Sequence, residues 1–296
     1  MSLVLTPYKR NPTHTGKVLA VFIHGLGAPD TWVSAALDWK TKILQDSLLE
    51  GIDVGIVTYD TAHLVSGIFK FSGQIQLGKH KLTIDEGKFS NIADLAHELQ
   101  REMGQRSLRP YKKIVLIGHS MGGLIGLHYI LQELEHKDSI SSIGGFISLA
   151  TPYNGADLAN FHKLIKIIQS HTQISDLSPN SEFLDSTSRL FNKYAQFPGI
   201  QEIDPRFYFG KADTIVTRGS AIPQAFSIWK GGLPLDGDHG SILDFTKPNS
   251  TVYREIQDYL LDVLDLCEEP TGASPQNVDS HQATPATIER GTNLNP

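Results

Sequence analysis

One stretch, KKIVLIGHSMGG from Lys112 to Gly123, limits what this chain can fold into more than any other. Its first part, Ile114 to Ile117, is a short apolar run rich in β-branched residues, which is typical of a strand buried on both faces of a parallel sheet. Residues 118–122 then fit the pattern G-x-S-x-G, and apolar residues that favour a helix follow over 124–134. A strand, a tight glycine turn and a helix in this order predict a nucleophile elbow centred on Ser120.

The positions of the glycines have a steric reason. A serine on a sharp strand-to-helix turn projects its hydroxyl above the sheet, and the residues two positions to either side must be small to avoid the turn. Gly118 and Gly122 stand at those positions, and Gly123 adds further room. The alternative is a chance glycine-rich turn, but the flanking strand and helix patterns favour the elbow.

The rest of the chain alternates between strand and helix patterns. Strands are predicted at 18–23, 54–59, 143–149 and 206–209, with a last strand at 226–229. Helices are predicted at 31–50, capped by Asp30 or Thr31, at 91–105 and at 249–266. This alternation predicts an α/β fold with a doubly wound, mostly parallel sheet, whose active residues lie at the carboxyl ends of the strands.

Three segments interrupt the alternation. Residues 60–88 have no sustained period and predict an irregular excursion with room for a short hairpin. Residues 153–203 carry two helical patterns, which we interpret as a helical cap inserted into a single domain over 1–269; a long crossover packed on one face is the alternative. Residues 270–296 lack aromatic side chains and are rich in polar residues and proline, which predicts a disordered tail.

Charge and hydropathy bear on partners and location. The net charge is −6 and the basic residues are scattered, so nucleic acid is not an expected partner. No apolar run approaches the ~18 residues of a spanning helix, and no signal-peptide pattern opens the chain, which makes the cytoplasm the default location. Peripheral membrane contact through 64–77 or the cap stays open, and no obligate protein partner is evident from the sequence.

A serine hydroxyl needs a base to remove its proton, and a carboxylate holds that base, a histidine, in the right tautomer. In this type of sheet the order along the chain is serine, acid, histidine. Six histidines follow Ser120, and only His239 lies in a loop after the last predicted strand, within the Gly- and Asp-rich segment 231–240. We therefore predict that His239 is the general base.

The predicted acid is Asp213, which comes directly after RFYFGKA, the late strand at 206–209 and its turn, and precedes His239. Asp236 is the second candidate. The structural alternative for Asp213 is a turn aspartate whose carboxylate accepts hydrogen bonds from local backbone N–H groups.

An oxyanion hole needs two backbone donors. We predict the N–H of Met121, the residue after the nucleophile, and that of Leu26, in the loop after the strand at 18–23. His24 and His119 lie close by in sequence, and for both a structural role is favoured over a catalytic one.

No cofactor or metal is expected. The segment GLGAPD from Gly25 to Asp30 lacks the third glycine of a dinucleotide loop, and no phosphate-binding loop or metal-spaced cluster is evident. The single cysteine, Cys267, adjoins two acids that oppose thiolate formation, so it is not the predicted nucleophile.

Five stretches together resemble the α/β-hydrolase superfamily, and more narrowly its lipase-like serine esterases, which include the GPI inositol-deacylase-like and SERAC1-like proteins. They are VFIHGLGAPDTW (Val21–Trp32), VLIGHSMGGLIG (Val115–Gly126), ISLATPYNG (Ile147–Gly155), FGKADTIV (Phe209–Val216) and GDHGSIL (Gly237–Leu243). Tyr153 departs from the narrower group, which often has histidine after Thr-Pro. The resemblance implies a sheet of the α/β-hydrolase type and hydrolysis of a carboxylic ester, of a small molecule, a lipid or another acylated substrate.

The apolar cap residues Phe161, Ile165 and Phe183 would suit an acyl chain, or else only seal the cap onto the sheet. Acyl transfer, thioester cleavage and amide cleavage would use the same three residues. They differ from ester hydrolysis only in the group that leaves the acyl carbon or in the acceptor that attacks it. A noncatalytic binding protein of the same fold would be marked by loss of a triad member, and all three are present.

Overall fold

A seven-stranded sheet forms the centre of the molecule in a computed structural model, which describes residues 3–25, 30–59, 92–137, 139–153, 189–223 and 232–268, and the backbone of 73–77 and 80–84. The strands are β1 (Val4–Tyr8), β2 (Val18–Ile23), β3 (Ile52–Thr58), β4 (Gly73–Leu77), β5 (His80–Ile84), β6 (Lys113–His119), β7 (Ile143–Leu149), β8 (Arg206–Gly210) and β9 (Leu233–Leu235). The sheet order is β1-β3-β2-β6-β7-β8-β9, and β1 alone is antiparallel to its neighbour.

Helices cover both faces of this sheet. They are α1 (Trp39–Gln45), α2 (Ile92–Met103), α3 (Met121–Lys137), α4 (Pro198–Glu202) and α5 (Val252–Asp265). Alternate residues of β2 enter two separate cores: Leu19, Val21 and Ile23 pack with α2 and α3, and Val18, Ala20 and Phe22 pack with α1 and α5. A strand buried on both faces needs a continuous apolar run, which is why VLAVFI was readable as a strand. The doubly wound, mostly parallel sheet is thus confirmed.

The predicted helix at 31–50 is wrong in its first half. Asp38, not Asp30 or Thr31, is the N-cap, because its carboxylate accepts the backbone N–H of Thr41 at 2.9 Å. Residues 30–38 form turns. Trp32 is nevertheless fully buried, with its ring 5.8 Å from that of Trp39. The apolar spacing before residue 39 therefore reflects core packing rather than a helical period.

The far edge of the sheet also differs from expectation. The strand predicted at 226–229 lies outside the described residues, and β9 lies within the segment predicted to be a loop. β9 pairs in parallel with β8, with Leu233 opposite Tyr208 and Leu235 opposite Gly210. Three residues with a central Pro234 carry too little pattern to mark a strand, and proline is tolerated there because β9 is at an edge.

The opposite edge, β1, was not predicted, and its outward N–H groups have acceptors. The N–H of Leu3 donates to Oε2 of Glu98 at 2.5 Å, and that of Leu5 donates to Oε2 of Glu102 at 3.2 Å. Pro7, the next residue with the same orientation, has no N–H to offer. Two glutamates of α2 and one proline thus cover the donors of an edge that could otherwise pair with another strand.

The remaining predicted segments are only partly described. β4 and β5 pair antiparallel, which confirms a short hairpin within 60–88. Residues 154–188 of the predicted cap and the predicted tail, 270–296, lie outside the described residues. The described end of the predicted cap segment contributes Phe191, Tyr194 and Ile200 to the core shared with α3. None of the helices in the described ranges has the length and apolar character to cross a bilayer.

Candidate active site

Ser120 is the single residue between β6 and α3, and it forms the turn that the glycine pattern predicts. Its φ of +53° lies in the left-handed region, which costs a non-glycine residue about 1–3 kcal/mol. A β-carbon at position 118 would lie 2.5 Å from the backbone nitrogen of Gly123, and one at position 122 would lie 2.3 Å from the carbonyl oxygen of Ile23. Only glycine fits at either position, as the steric argument requires.

Asp213 follows β8 in a tight turn. Its Oδ1 accepts the backbone N–H groups of Ile215 and Val216, each at 2.8 Å. The turn-capping role considered as an alternative is therefore present, but it occupies only one carboxylate oxygen. The other, Oδ2, is directed to His239.

His239 follows β9 and precedes a short 3-10 helix, Ser241–Leu243. Gly237, with φ +121°, turns the chain toward it, and a side chain there would collide with the backbone of Ser241. The carbonyl of Gly237 accepts the N–H of Ala212 at 2.9 Å. This bond joins the loop that carries His239 to the loop that carries Asp213, so the two side chains are set relative to each other by backbone contacts.

The three predicted residues meet at the carboxyl ends of β6, β8 and β9. Nε2 of His239 lies 3.1 Å from Oγ of Ser120, and Nδ1 lies 3.0 Å from Oδ2 of Asp213. The side chains are buried, with residue exposures of 1% for Ser120, 5% for His239 and 9% for Asp213. A carboxylate only accepts, so Nδ1 carries the proton and Nε2 keeps a lone pair for the serine hydroxyl.

Asp236, the second candidate for the acid, is elsewhere. Its carboxylate pairs with Nζ of Lys211 at 2.7 Å, and both side chains are exposed. The structure thus brings Asp213 to His239 and leaves Asp236 on the surface.

His24 is wholly buried in contacts within the fold. Its Nδ1 donates to the carbonyl of Gly25 at 2.7 Å, its Nε2 accepts the N–H of Tyr59 at 3.3 Å, and the two rings stack 4.0 Å apart. Burial lowers the pKa of His24, which keeps the ring neutral. These contacts agree with the structural role predicted for it.

The predicted oxyanion hole is described only in part. Met121 is the first residue of α3, and the first N–H groups of a helix have no intrahelical acceptor, so its donor is available. Leu26 lies outside the described residues, as do Phe161, Ile165 and Phe183. Gly25, just before Leu26, does border Ser120, since a β-carbon there would lie 3.0 Å from Cβ of Ser120.

Sequence reasoning missed the role of Tyr153, which it noted only as a departure from a motif. The buried Tyr153 donates its hydroxyl to Oγ of Ser148 at 2.7 Å and its N–H to the carbonyl of Ser220 at 2.8 Å. It thereby joins the end of β7 to the chain after Asp213. The placement of Tyr153 directly after a predicted strand end was the one available signal.

The fold and this geometry define the class of protein, the α/β-hydrolases. Peroxisomal α/β-hydrolase Lpx1 from Saccharomyces cerevisiae is similar with a TM-score of 0.51 and 13% identity, over 93% of this chain and 85% of that one. A carboxylesterase structure from Nitrososphaera gargenis matches with a TM-score of 0.50 and 16% identity, over 90% and 94%. Mouse α/β hydrolase domain-containing protein 10 matches with a TM-score of 0.50 and 14% identity, over 90% and 95%. At these identities the likeness shows the fold alone.

The family follows from the sequence. Residues 10–196, more than half of the 296-residue chain, match the family model described as phospholipase/carboxylesterase. The chain belongs to that family. One curated relative, phosphatidylcholine-sterol acyltransferase of Gallus gallus, is 42% identical over 69 residues, which is 23% of this chain and 14% of the relative.

Proposed function

We propose that this protein is a carboxylic ester hydrolase that cleaves its ester through an acyl-enzyme on Ser120, with His239 as general base and Asp213 as the supporting acid. The observation that carries the proposal is the continuous line of hydrogen-bonding distances, 3.1 Å from Oγ of Ser120 to His239 and 3.0 Å from His239 to Asp213. Both contacts are buried, which removes competing water from the polar atoms.

The steps follow from the positions of the protons. Oγ of Ser120 attacks the acyl carbonyl while Nε2 of His239 takes its proton, and Asp213 stabilises the resulting imidazolium. His239 then gives this proton to the leaving alcohol oxygen as the C–O bond breaks. Water, deprotonated by the same nitrogen, attacks the acyl carbon. The bond from this carbon to Oγ of Ser120 then breaks, His239 returns the proton to Oγ, and the carboxylic acid is released.

The tetrahedral intermediates carry a negative oxygen that needs donors. We assign the N–H groups of Met121 and Leu26 to this task. The start of α3 at Met121 supports the first assignment, because a helix N-terminus offers free N–H groups and a positive dipole end. The position of Gly25 beside Ser120 supports the second, because Leu26 is the next residue.

For the substrate we propose a lipid or another acylated molecule. The family description and the likeness to an acyltransferase whose printed name includes phosphatidylcholine support this choice. In this proposal Phe161, Ile165 and Phe183 contact the acyl chain. The narrower GPI inositol-deacylase-like or SERAC1-like assignment, a single domain over 1–269, peripheral membrane contact and a cytoplasmic location stay predictions.

Labelling with a fluorophosphonate probe tests the nucleophile. Wild type should label, while Ser120→Ala should not; equal labelling of the two, or of neither, would overturn the proposal and favour a noncatalytic binding protein. His239→Asn should fold but lose turnover of p-nitrophenyl esters. A panel of such esters from acetyl to palmitoyl then tests the lipid assignment, which fails if only the shortest chains are cleaved.

Acyl transfer is the second candidate, and the 69-residue likeness to an acyltransferase favours it specifically. The chemistry differs only in whether water or an alcohol attacks the acyl-enzyme. Turnover of a phosphatidylcholine in the presence of a sterol separates the two: free fatty acid alone supports hydrolysis, and a steryl ester supports transfer. Thioester and amide analogues of the best ester test the remaining alternatives in the same assay.

A further inference from the structure

His119 makes one contact that its position in the sequence does not explain. Its Nε2 lies 2.8 Å from the backbone carbonyl oxygen of His239, and both residues are buried. A carbonyl oxygen only accepts hydrogen bonds, so the proton of this imidazole is on Nε2. The residue just before the proposed nucleophile therefore donates to the backbone of the proposed base.

The ring is fixed in this state by its surroundings. Burial, with the nearby His239 as the second cause, lowers the pKa of His119 to about 3, so the ring is neutral at physiological pH. Trp32 meets it edge to face at 6.5 Å between ring centres. Nδ1 has no hydrogen-bond partner in the part of the chain that the structure describes. His119 thus carries a single N–H, and that N–H is committed to His239.

The loop that carries His239 has features that make a stabilising contact to its backbone useful. It follows a three-residue strand and lies between Gly237 and Gly240. A β-carbon at position 240 would have no atom of the described residues within 4 Å. On the outer side, Asp238 and Ser241 exchange hydrogen bonds across the loop. On the side that faces β6, the imidazole N–H of His119 donates to the carbonyl of His239.

We propose that His119 is a positioning residue that holds the backbone of His239 at the distance the proton transfer requires. Two consecutive residues at the end of β6 then contact His239 at two points. His119 binds its carbonyl oxygen, and Ser120 faces its Nε2 at 3.1 Å. The inference rests on the proposed function, because it assigns His239 as the base. His119 itself takes no proton from the substrate.

The test compares His119→Phe, which keeps a ring and removes the donor, with His119→Gln, whose amide nitrogen reaches about as far as Nε2. On a p-nitrophenyl ester, kcat of the phenylalanine variant should fall by roughly 10- to 100-fold with KM within about twofold, since small misplacement of a catalytic group costs rate rather than binding. The glutamine variant should recover kcat to within about fivefold of wild type. Unchanged kcat in the phenylalanine variant, or equal losses in both, would overturn the inference.

A comparison of His119→Asn with the glutamine variant keeps the test valid if the phenylalanine variant has a folding defect. His119→Asn places its amide near Nδ1, too short to reach the carbonyl of His239, and should be as slow as the phenylalanine variant while remaining polar. If the phenylalanine variant does not fold, equal kcat in the asparagine and glutamine variants overturns the inference. Ser120→Ala in the same assay separates the two levels: full activity there refutes the proposed function itself, whereas an inactive Ser120→Ala beside a fully active His119→Phe refutes only the role of His119.

Discussion

The carboxylate of Asp213 is oriented by its own turn as well as by His239: Oδ2 lies 3.0 Å from Nδ1 of the imidazole, while Oδ1 accepts two backbone N–H groups. The two oxygens therefore have different and fixed tasks. This division makes an amide at position 213 more informative than a truncation.

We expect Asp213→Asn to lower kcat by about 10³- to 10⁴-fold. The amide oxygen must take the Oδ1 position to accept the two backbone N–H groups, so the NH₂ group faces His239. Nδ1 then has to accept, the proton moves to Nε2, and the imidazole can no longer accept the proton of Ser120. The measurement is ester turnover at neutral pH. Asp236→Asn removes an exposed ion pair with Lys211 and should stay within about twofold of wild type; a severe loss only in that variant would contradict the assignment.

Gly122→Ala should destabilise the fold by about 3 kcal/mol or more, since the added methyl would lie 2.3 Å from the carbonyl oxygen of Ile23 and neither backbone can yield easily. Gly104→Ala is the matched control. Its nearest neighbour is at 3.4 Å, and its stability should change by no more than about 0.5 kcal/mol. Urea unfolding of both variants gives the comparison, and similar free energies of unfolding would show that the turn tolerates a side chain.

The loop beside His239 should add a pH-dependent contribution to stability through Asp238. The backbone N–H of Ser241, followed by its hydroxyl, lowers the pKa of this carboxylate. The folded-state pKa thus lies below the unfolded value of about 3.9, so the stabilisation is present above that pH and is lost as the pH falls through the folded-state value. Urea midpoints for wild type and Asp238→Asn should differ at pH 7 and converge below about pH 4. A constant difference across this range would contradict the linkage.

The two glutamates over β1 should protect the protein from self-association. Glu98→Ala combined with Glu102→Ala exposes the N–H groups of Leu3 and Leu5, and we expect faster aggregation in light scattering on mild heating. Glu98→Gln with Glu102→Gln removes the same charge but keeps oxygen acceptors, and it should aggregate at most slightly faster than wild type. If both double variants aggregate alike, net charge rather than edge coverage is the cause.

Much of the site was predictable because its geometry follows from chain order. An elbow fixes Ser120 at one strand end, and the acid and the histidine have to follow later strands, which left Asp213 and His239 with few rivals. Asp236 was harder to dismiss from sequence, since only the structure shows it paired with Lys211. The contact of His119 was not predictable, because it joins residues 120 positions apart through a backbone atom.

The errors in the fold have two physical sources. β9 is three residues long with a central proline, and β1 contains Pro7, so neither edge strand shows a strong period of two. The helix at 31–50 was placed too early because Trp32 and Trp39 are both buried at a helical spacing, while the capping interaction that decides the start belongs to Asp38. In that case residues buried by tertiary packing had the spacing of a helix although the chain before Trp39 is not helical.

The order of the strands also has a consequence for the growing polypeptide. β2, β3, β6 and β7 are complete by Leu149, so a ribosome has delivered Ser120 and its neighbouring strands long before it adds Asp213 and His239 in the loops after β8 and β9. In the proposed mechanism the hydroxyl has neither base nor acid during that interval. We therefore expect the nascent chain to be inert toward acyl groups, and its reactivity to begin only when the last edge of the sheet packs against β7.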